Sequence, residues 1–383
     1  MASRLLNPFV AVLTAILGIA YAYLALRLAA SLPGLIALAV PFVLIWLVPV
    51  VYWIGDREGG TRLDDALHFG GYASMGWVNF ALLLSLARDA LLVAGAWIEP
   101  LHGLQRFLVA QGSELVIGGA FVMFAAGMVI ALRGPSLRRI EIPIEGLHPA
   151  LEGLRIAQIS DLHVGPTIRA GYVRRVVEKA NALEADLVAL TGDFVDGSVE
   201  ALSRHVAPLA GLMPARRVFF IPGNHEYYSG FPRWMPVFRS LGFELLLNEH
   251  RMVSIADARI LVGGVVDPAA GRANPPRADL AAAGGEAADF RLLLAHHPKL
   301  APLGEAAGFD LQLSGHTHAG QFFPWTIAVR MLHGPHVAGL SRLGRMWVYV
   351  SAGTGTWGPP VRFGTRPELT LLRLVRAGTL ARP

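Results

Sequence analysis

Apolar residues run almost without interruption through the first third of the chain. Four stretches there reach the roughly 20 apolar residues that a helix needs to cross a bilayer core. They are 5–30, 32–54, 71–98 and 112–132, broken only by isolated charges such as Arg27, Arg88, Asp89 and Glu114. A cleavable signal peptide explains none of the later three, and no twin-arginine signal precedes the first. Beyond residue 150 the pattern becomes short β-rich runs with helical spacing between the early ones. Leu154–Ser160, Leu187–Thr191 and Val218–Ile221 read as strands, with a helix over 172–183. Further strands are predicted at 260–266, 291–295, 311–314, 347–351 and 369–374, and the Ala/Gly/Pro-rich stretch 268–286 reads as a surface excursion.

The predicted organisation is a transmembrane helical domain over 1–132, a polar linker over 133–149, and an α/β layered domain over 150–383. Charge follows the same division. Residues 1–132 hold six Lys/Arg and seven Asp/Glu, against 27 and 21 in the remainder. With four spans, Arg4, Arg57, Arg62, Arg133, Arg138 and Arg139 flank one side, while Arg27 and Arg106 flank the other. The positive-inside bias therefore puts both termini, and the α/β domain, in the cytoplasm. The Arg88-Asp89 pair reads as the snorkelling end of a partly interfacial helix. No cysteine is present, which excludes disulfide and thiolate chemistry. The excess of basic residues suits anionic head groups or phosphorylated substrates.

Polar residues with metal-ligand chemistry recur at the ends of successive predicted strands. Asp161 and His163 follow the first strand, Asp193 the second, and Asn224 and His225 the third. His296 follows 291–295, and His316 and His318 follow 311–314. Sites in α/β sheets form at the carboxyl ends of strands, and burying so many polar groups together is expensive without a cation. Imidazole and carboxylate without thiolate suit Mn, Fe, Zn or Co. Two such ions at roughly 3.5–4 Å can hold a hydroxide between them and clamp a phosphoryl oxygen.

Asp161-Leu-His163, Gly192-Asp193, Gly223-Asn224-His225-Glu226, His296 and Gly315-His316-Thr317-His318 together resemble the five-part signature of the calcineurin-like metallophosphoesterase family. The resemblance covers about residues 150–376. The tail from Ser351 to Leu369 is similar to a stretch of a membrane-associated bacterial subgroup, which also includes an animal transmembrane protein with a metallophosphoesterase domain. The resemblance implies a layered β-sandwich flanked by helices, behind the multi-span α-helical membrane domain. It implies two divalent or trivalent transition-metal ions, manganese foremost. Asp161, His163 and His318 would hold one, Asn224, His296 and His316 the other, with Asp193 as the bridge. His225 would act at the phosphate, with a supporting role for a ligand as the alternative. The family places the ligand two residues before the proline of His296-His297-Pro298, and strand alternation lets only one of the pair face inward, which selects His296.

Gly165, Gly192, Gly223 and Gly315 read as turn glycines that let the backbone approach the metals. Asp196 and Glu226 read equally as ligand-orienting groups or as turn and helix-start residues. Arg362 reads as a phosphate contact or a loop brace. Phe322, Phe323 and Trp325 read as core, or as an apolar wall for a lipid chain. The expected function is hydrolysis of a phosphodiester, pyrophosphate or phosphomonoester by attack of a metal-bridging hydroxide. The expected partners are the lipid bilayer and a phosphorylated small-molecule or lipid substrate, at the cell inner membrane. Nucleic acid is not an expected partner, since no dense basic-aromatic stripe is present. The alternatives are a metal-binding membrane sensor or scaffold without turnover, a nuclease, or a transporter with an accessory domain.

Overall fold

The computed structural model describes residues 8–53, 61–213, 217–283 and 287–378. Arg4 and Arg57 of the charge tally, the outer ends of the first two predicted spans, and 284–286 of the predicted excursion lie outside these residues. Two compact units divide between Val129 and Ile130, with Gly358–Val361 grouped with the first.

The first unit contains helices α1 (Pro8–Leu28), α2 (Leu32–Val48), α3 (Arg62–Trp97) and all but the last three residues of α4 (His102–Leu132). Four helices among the described residues are long and apolar enough to cross a membrane. The third and fourth begin 9 and 10 residues before the predicted spans, because apolar run length cannot register polar first turns. At the start of α3, Thr61 Oγ1 accepts from the Asp64 N–H at 3.2 Å while Asp64 Oδ2 accepts from the Thr61 N–H at 3.1 Å. These two bonds form a capping box that satisfies orphan donors. Small residues allow close helix contact: a Cβ on Gly71 would stand 2.9 Å from the Leu44 carbonyl oxygen.

The second unit holds two six-stranded sheets. The strands are β1 (Ser136–Ile144), β2 (Arg155–Ile159), β3 (Leu187–Thr191), β4 (Arg217–Ile221), β5 (Glu244–Leu245), β6 (Glu249–Ile255), β7 (Ala258–Gly264), β8 (Phe290–Leu294), β9 (Leu311–Ser314), β10 (Gly339–Leu343), β11 (Met346–Val350) and β12 (Glu368–Arg376). One sheet runs β1-β12-β2-β3-β4-β5 and the other β10-β11-β9-β8-β7-β6. β2, β3, β4 and β5 are mutually parallel, as are β7, β8, β9 and β11. The connections carry α5 (Ala170–Asn181), α6 (Val199–Val206), α7 (Asn224–Tyr228), α8 (Phe231–Ser240), α9 (Ala278–Ala282), α10 (Ala301–Ala306) and α11 (Trp325–His333).

Side chains alternate across each strand. Ile156, Leu187, Ala189, Phe219 and Ile221 of one sheet bury against Ile260, Val262, Leu292, Leu294 and Leu311 of the other. On the outer face of the first sheet, Ala157, Val188, Leu190 and Phe220 pack under Val173, Val176, Trp234 and Phe238 of the helices. Leu261, Leu293 and Val348 do the same on the second sheet beneath Ala281 and Ala301. The result is the predicted sandwich between helical layers.

Two readings need correction. The predicted linker 133–149 contains β1, which pairs in parallel with β12 from Ser136↔Glu368 to Ile144↔Arg376. Its exposed Arg138, Arg139 and Glu141, with Pro143, are tolerated because β1 is an edge strand. The predicted excursion 268–286 is not purely surface: Ala278 and Ala281 of α9 are buried against the second sheet.

Candidate metal centre

The candidate ligands emerge from the carboxyl ends of β2, β3, β4, β8 and β9. To turn inward there, Asp161, His163, Asp193, His316 and His318 adopt φ between 50° and 72°. This left-handed region is costly for residues with side chains, and such conformations concentrate at functional sites. Gly192 shares it at φ 87°, whereas Gly223 is glycine for space: a Cβ there would lie 2.8 Å from His296 Nε2.

Asp161, His163, Asp193 and His296 are each at most 2% exposed. Asn224, His225 and His316 are half-buried, so the cluster has one accessible side. Asp193 Oδ2 stands 3.1 Å from His296 Nε2 and 3.9 Å from His163 Nε2. His163 Nε2 lies 2.9 Å from His318 Nε2, which is 3.5 Å from Asp161 Oδ1. His316 Nδ1 is 3.0 Å from Asn224 Oδ1. Three groups of possible donor atoms result: Asp161–His163–His318, Asp193–His296–His316, and His163–Asp193–His225, the atoms of each lying within 4.8 Å of one another.

This donor set fits cations. His296 directs Nδ1 at the Thr191 carbonyl oxygen at 2.7 Å. That bond assigns the ring proton to Nδ1 and leaves the Nε2 lone pair facing a carboxylate. Asp161 Oδ2 is buried without a hydrogen-bond partner, which is costly unless something positive satisfies it, and His296 Nε2 has the Asp193 carboxylate as its close polar contact.

His297 faces elsewhere. Its ring stacks on His316 at a centroid distance of 4.2 Å, and its Nδ1 accepts from the Lys299 N–H at 3.2 Å. Among the described residues it joins a separate, half-buried group with His316 and His333.

Three residues left open by the sequence have defined contacts. Asp196 Oδ1 receives His163 Nδ1 at 2.8 Å and His225 Nδ1 at 2.7 Å, so one oxygen orients two imidazoles. Burial alone would raise the Asp196 pKa, but the His163 and His225 charges hold it below the usual range. Burial would lower the pKa of His225, yet Asp196 raises it to about 9. Glu226 accepts the backbone N–H groups of Gly223, Asp193 and Phe194 at 2.7, 2.9 and 2.6 Å, tying the β3 and β4 loops together. Burial, then the Asp193 charge, raises its pKa to about 7. The spacing Asp193-x-x-Asp196 was the available signal for the first of these.

Arg362 is fully buried. It donates to the carbonyls of His318, Ala352, Gly353 and Gly355 and to His318 Nδ1 at 3.1 Å. It is therefore the loop brace, one that also touches a candidate ligand. Phe322 is buried, whereas Trp325 is exposed.

Residues 154–320 match the family described as Calcineurin-like phosphoesterase. A zebrafish (Danio rerio) transmembrane protein with metallophosphoesterase domain is 36% identical over 70% of this chain and 65% of its own length. An uncharacterized metallophosphoesterase of Helicobacter pylori strain J99 is 34% identical over 71% of this chain and 72% of its own. Among solved structures, a 5'-nucleotidase precursor of Thermus thermophilus matches with TM-score 0.38 and 15% identity, covering 57% of this chain and 54% of that one. The chain thus spans just under two thirds of the zebrafish relative and over two thirds of the bacterial one, and it belongs to the calcineurin-like metallophosphoesterase family.

Proposed function

We propose that this protein is a membrane-anchored two-metal phosphoesterase that hydrolyses a phosphodiester, pyrophosphate or phosphomonoester bond, with manganese as the preferred ion. One observation carries the reading: buried Asp193 stands between His163 of one donor group and His296 of the other. Asp161, His163 and His318 are assigned to one cation, and Asn224, His296 and His316 to the second, with Asp193 shared. A cation pair bound there supplies Lewis-acid polarisation of phosphoryl oxygens and acidifies water.

The chain's own residues do the rest. Asp196 fixes the Nδ1 protons of His163 and His225, which keeps His163 Nε2 available as a donor atom. His225, protonated at neutral pH beside Asp196, holds a proton at Nε2 that it can pass to the leaving oxygen as the P–O bond breaks. The left-handed loops and Glu226 hold these groups in place before substrate arrives.

A lipid-linked phosphate is the favoured substrate class. Trp357 and Tyr228 are 54% and 73% exposed and flank the His225 ring at 6.0 and 5.5 Å. Trp325, Ile327, Met331 and Leu332 of α11 are also exposed, closely following His318 in the chain. The cytoplasmic face of an inner membrane remains the proposed location. Because Arg88 lies beside Arg27, the count of basic residues becomes six against three, with the same sign.

The test uses full-length protein stripped with chelator, reloaded with Mn2+ and assayed on aryl phosphodiesters, phosphomonoesters and lipid-linked pyrophosphates. Metal-dependent hydrolysis that disappears in Asp193→Ala, with membrane insertion intact, is expected. Equal activity in that variant overturns the assignment. A reporter fused after Pro383 reads orientation, and a signal outside the cytoplasm rejects the placement.

A further inference from the structure

Within the helical unit lies an apolar cavity of about 510 Å3, lined by residues that include Leu28, Leu38, Trp77, Ile117, Phe121 and Phe124. Its size falls in the range that encloses a drug-sized ligand. All four helices contribute to its wall. In a membrane-spanning bundle the apolar solute at hand is an acyl chain.

A charged cluster sits on the same helix faces. Arg27 Nε donates to Asp89 Oδ2 at 2.8 Å, and Tyr23 Oη donates to the same oxygen at 3.0 Å. Arg88 Nη1 donates to Ser113 Oγ at 3.2 Å and to the Arg27 carbonyl oxygen at 3.4 Å. Its Nε, 3.7 Å from Asp89 Oδ1, has no hydrogen-bond partner although buried. Gly112 makes room for this arginine, since a Cβ there would lie 2.7 Å from Arg88 Cδ. Two guanidiniums thus meet a single carboxylate in the cluster, leaving one net positive charge where the surroundings are apolar.

Helix geometry joins the cluster to the cavity. Arg27 directly precedes the wall residues Leu28 and Ala29. Arg88 and Trp77 are three helical turns apart on one face of α3, and Ser113 and Ile117 are one turn apart on α4. A phosphate held by the arginines would therefore have its chain directed along the cavity.

We propose that the Arg27–Arg88 cluster and the adjoining apolar cavity form one binding site for an anionic phospholipid, with phosphate on the guanidiniums and an acyl chain in the cavity. Guanidinium is well matched to phosphate, donating through a fixed fork. Asp89 keeps the arginines oriented while leaving the excess charge for the lipid. The site is separate from the metal centre and rests only on α1–α4 being membrane spans.

The experiment measures thermal stabilisation of the full chain in neutral detergent, titrated with phosphatidylglycerol, phosphatidylcholine or inorganic phosphate. Phosphatidylglycerol is expected to stabilise at roughly tenfold lower concentration than phosphatidylcholine, and inorganic phosphate not at all. Arg27→Gln, at a side chain 46% exposed and so tolerant of change, should weaken phosphatidylglycerol roughly fivefold and phosphatidylcholine, whose choline offsets its phosphate, by clearly less. Ala37 of α2 also lines the cavity, and Ala37→Phe, filling it, should weaken both lipids. Equal response to the two lipids, stabilisation by inorganic phosphate alone, or an unchanged Arg27→Gln titration each overturns the proposal. Alkaline carbonate extraction of membranes reports separately on whether the helices are integral.

Discussion

Replacing Gly223 by alanine adds one methyl group at the point where two ligand loops touch. The backbone at Gly223 has φ −98°, which any residue adopts, so the effect is steric alone. The new Cβ would stand 2.7 Å from the Asp193 nitrogen and 2.8 Å from His296 Nε2, closer still to Asp193 Oδ1, where ordinary contact begins at 3.4 Å. The ligands must therefore retreat by at least about 0.6 Å, beyond the roughly 0.5 Å tolerance of a working constellation. Overpacking of this kind costs about 1–3 kcal/mol, or roughly 2–12 °C in Tm for a domain of this size. Misplacement approaching 1 Å costs on the order of 10²-fold in turnover. The assay combines thermal unfolding, metal content by mass spectrometry, and Mn2+-dependent hydrolysis of bis(p-nitrophenyl) phosphate. A folded protein with less than two ions per chain and about 10–10²-fold lower turnover is expected. Gly171→Ala serves as control, because the nearest atom to its Cβ is an arginine tip at 3.9 Å. A Gly223→Ala protein with full metal and wild-type turnover would refute the reasoning.

His225→Ala should lower kcat by about 10²–10⁴-fold while both ions stay bound; parallel loss of metal would make His225 a support. A proton donor is competent below its pKa, so wild-type activity should fall as pH rises through about 9. Asp196→Asn should move that fall toward roughly 6.5, and an unmoved pH profile would separate Asp196 from His225. Arg362→Met strands four backbone carbonyls and should cost about 3 kcal/mol or more in urea unfolding; a change below about 0.5 kcal/mol contradicts the brace. Chelation should lower Tm, and Mn2+ at about 100 times its Kd should restore about 2.7 kcal/mol; identical melting curves with and without metal would count against a built-in cation site.

Strands buried on both faces were the most legible part of the sequence. Leu187–Thr191 and Leu311–Ser314 have their predicted bounds, the first a nearly continuous apolar run and the second alternating leucine with Gln312 and Ser314, each stopped by a following glycine. The ligand cluster was legible for a related reason: each polar group follows such a run directly. β1 was not, since its exposed charges and proline mimic a linker and its strand character comes from a partner more than 200 residues away. Asp196, Glu226 and Arg362 carried the right chemistry, but their roles depend on loops that meet only in three dimensions. The arginine at position 88 looked like a snorkelling side chain until its contacts with α1 and α4 placed it in a cluster.

The position of β12 has a consequence for biosynthesis. This strand lies inside its sheet, between β1 and β2, though it is translated after every other strand among the described residues. A ribosome that has delivered every preceding residue still leaves β1 without its neighbour and the flank of β2 uncovered. Unpaired strand edges of that kind invite aggregation. Nascent chains stalled upstream of Glu368 should therefore be held by chaperones or degraded, because the sheet closes only once β12 has emerged.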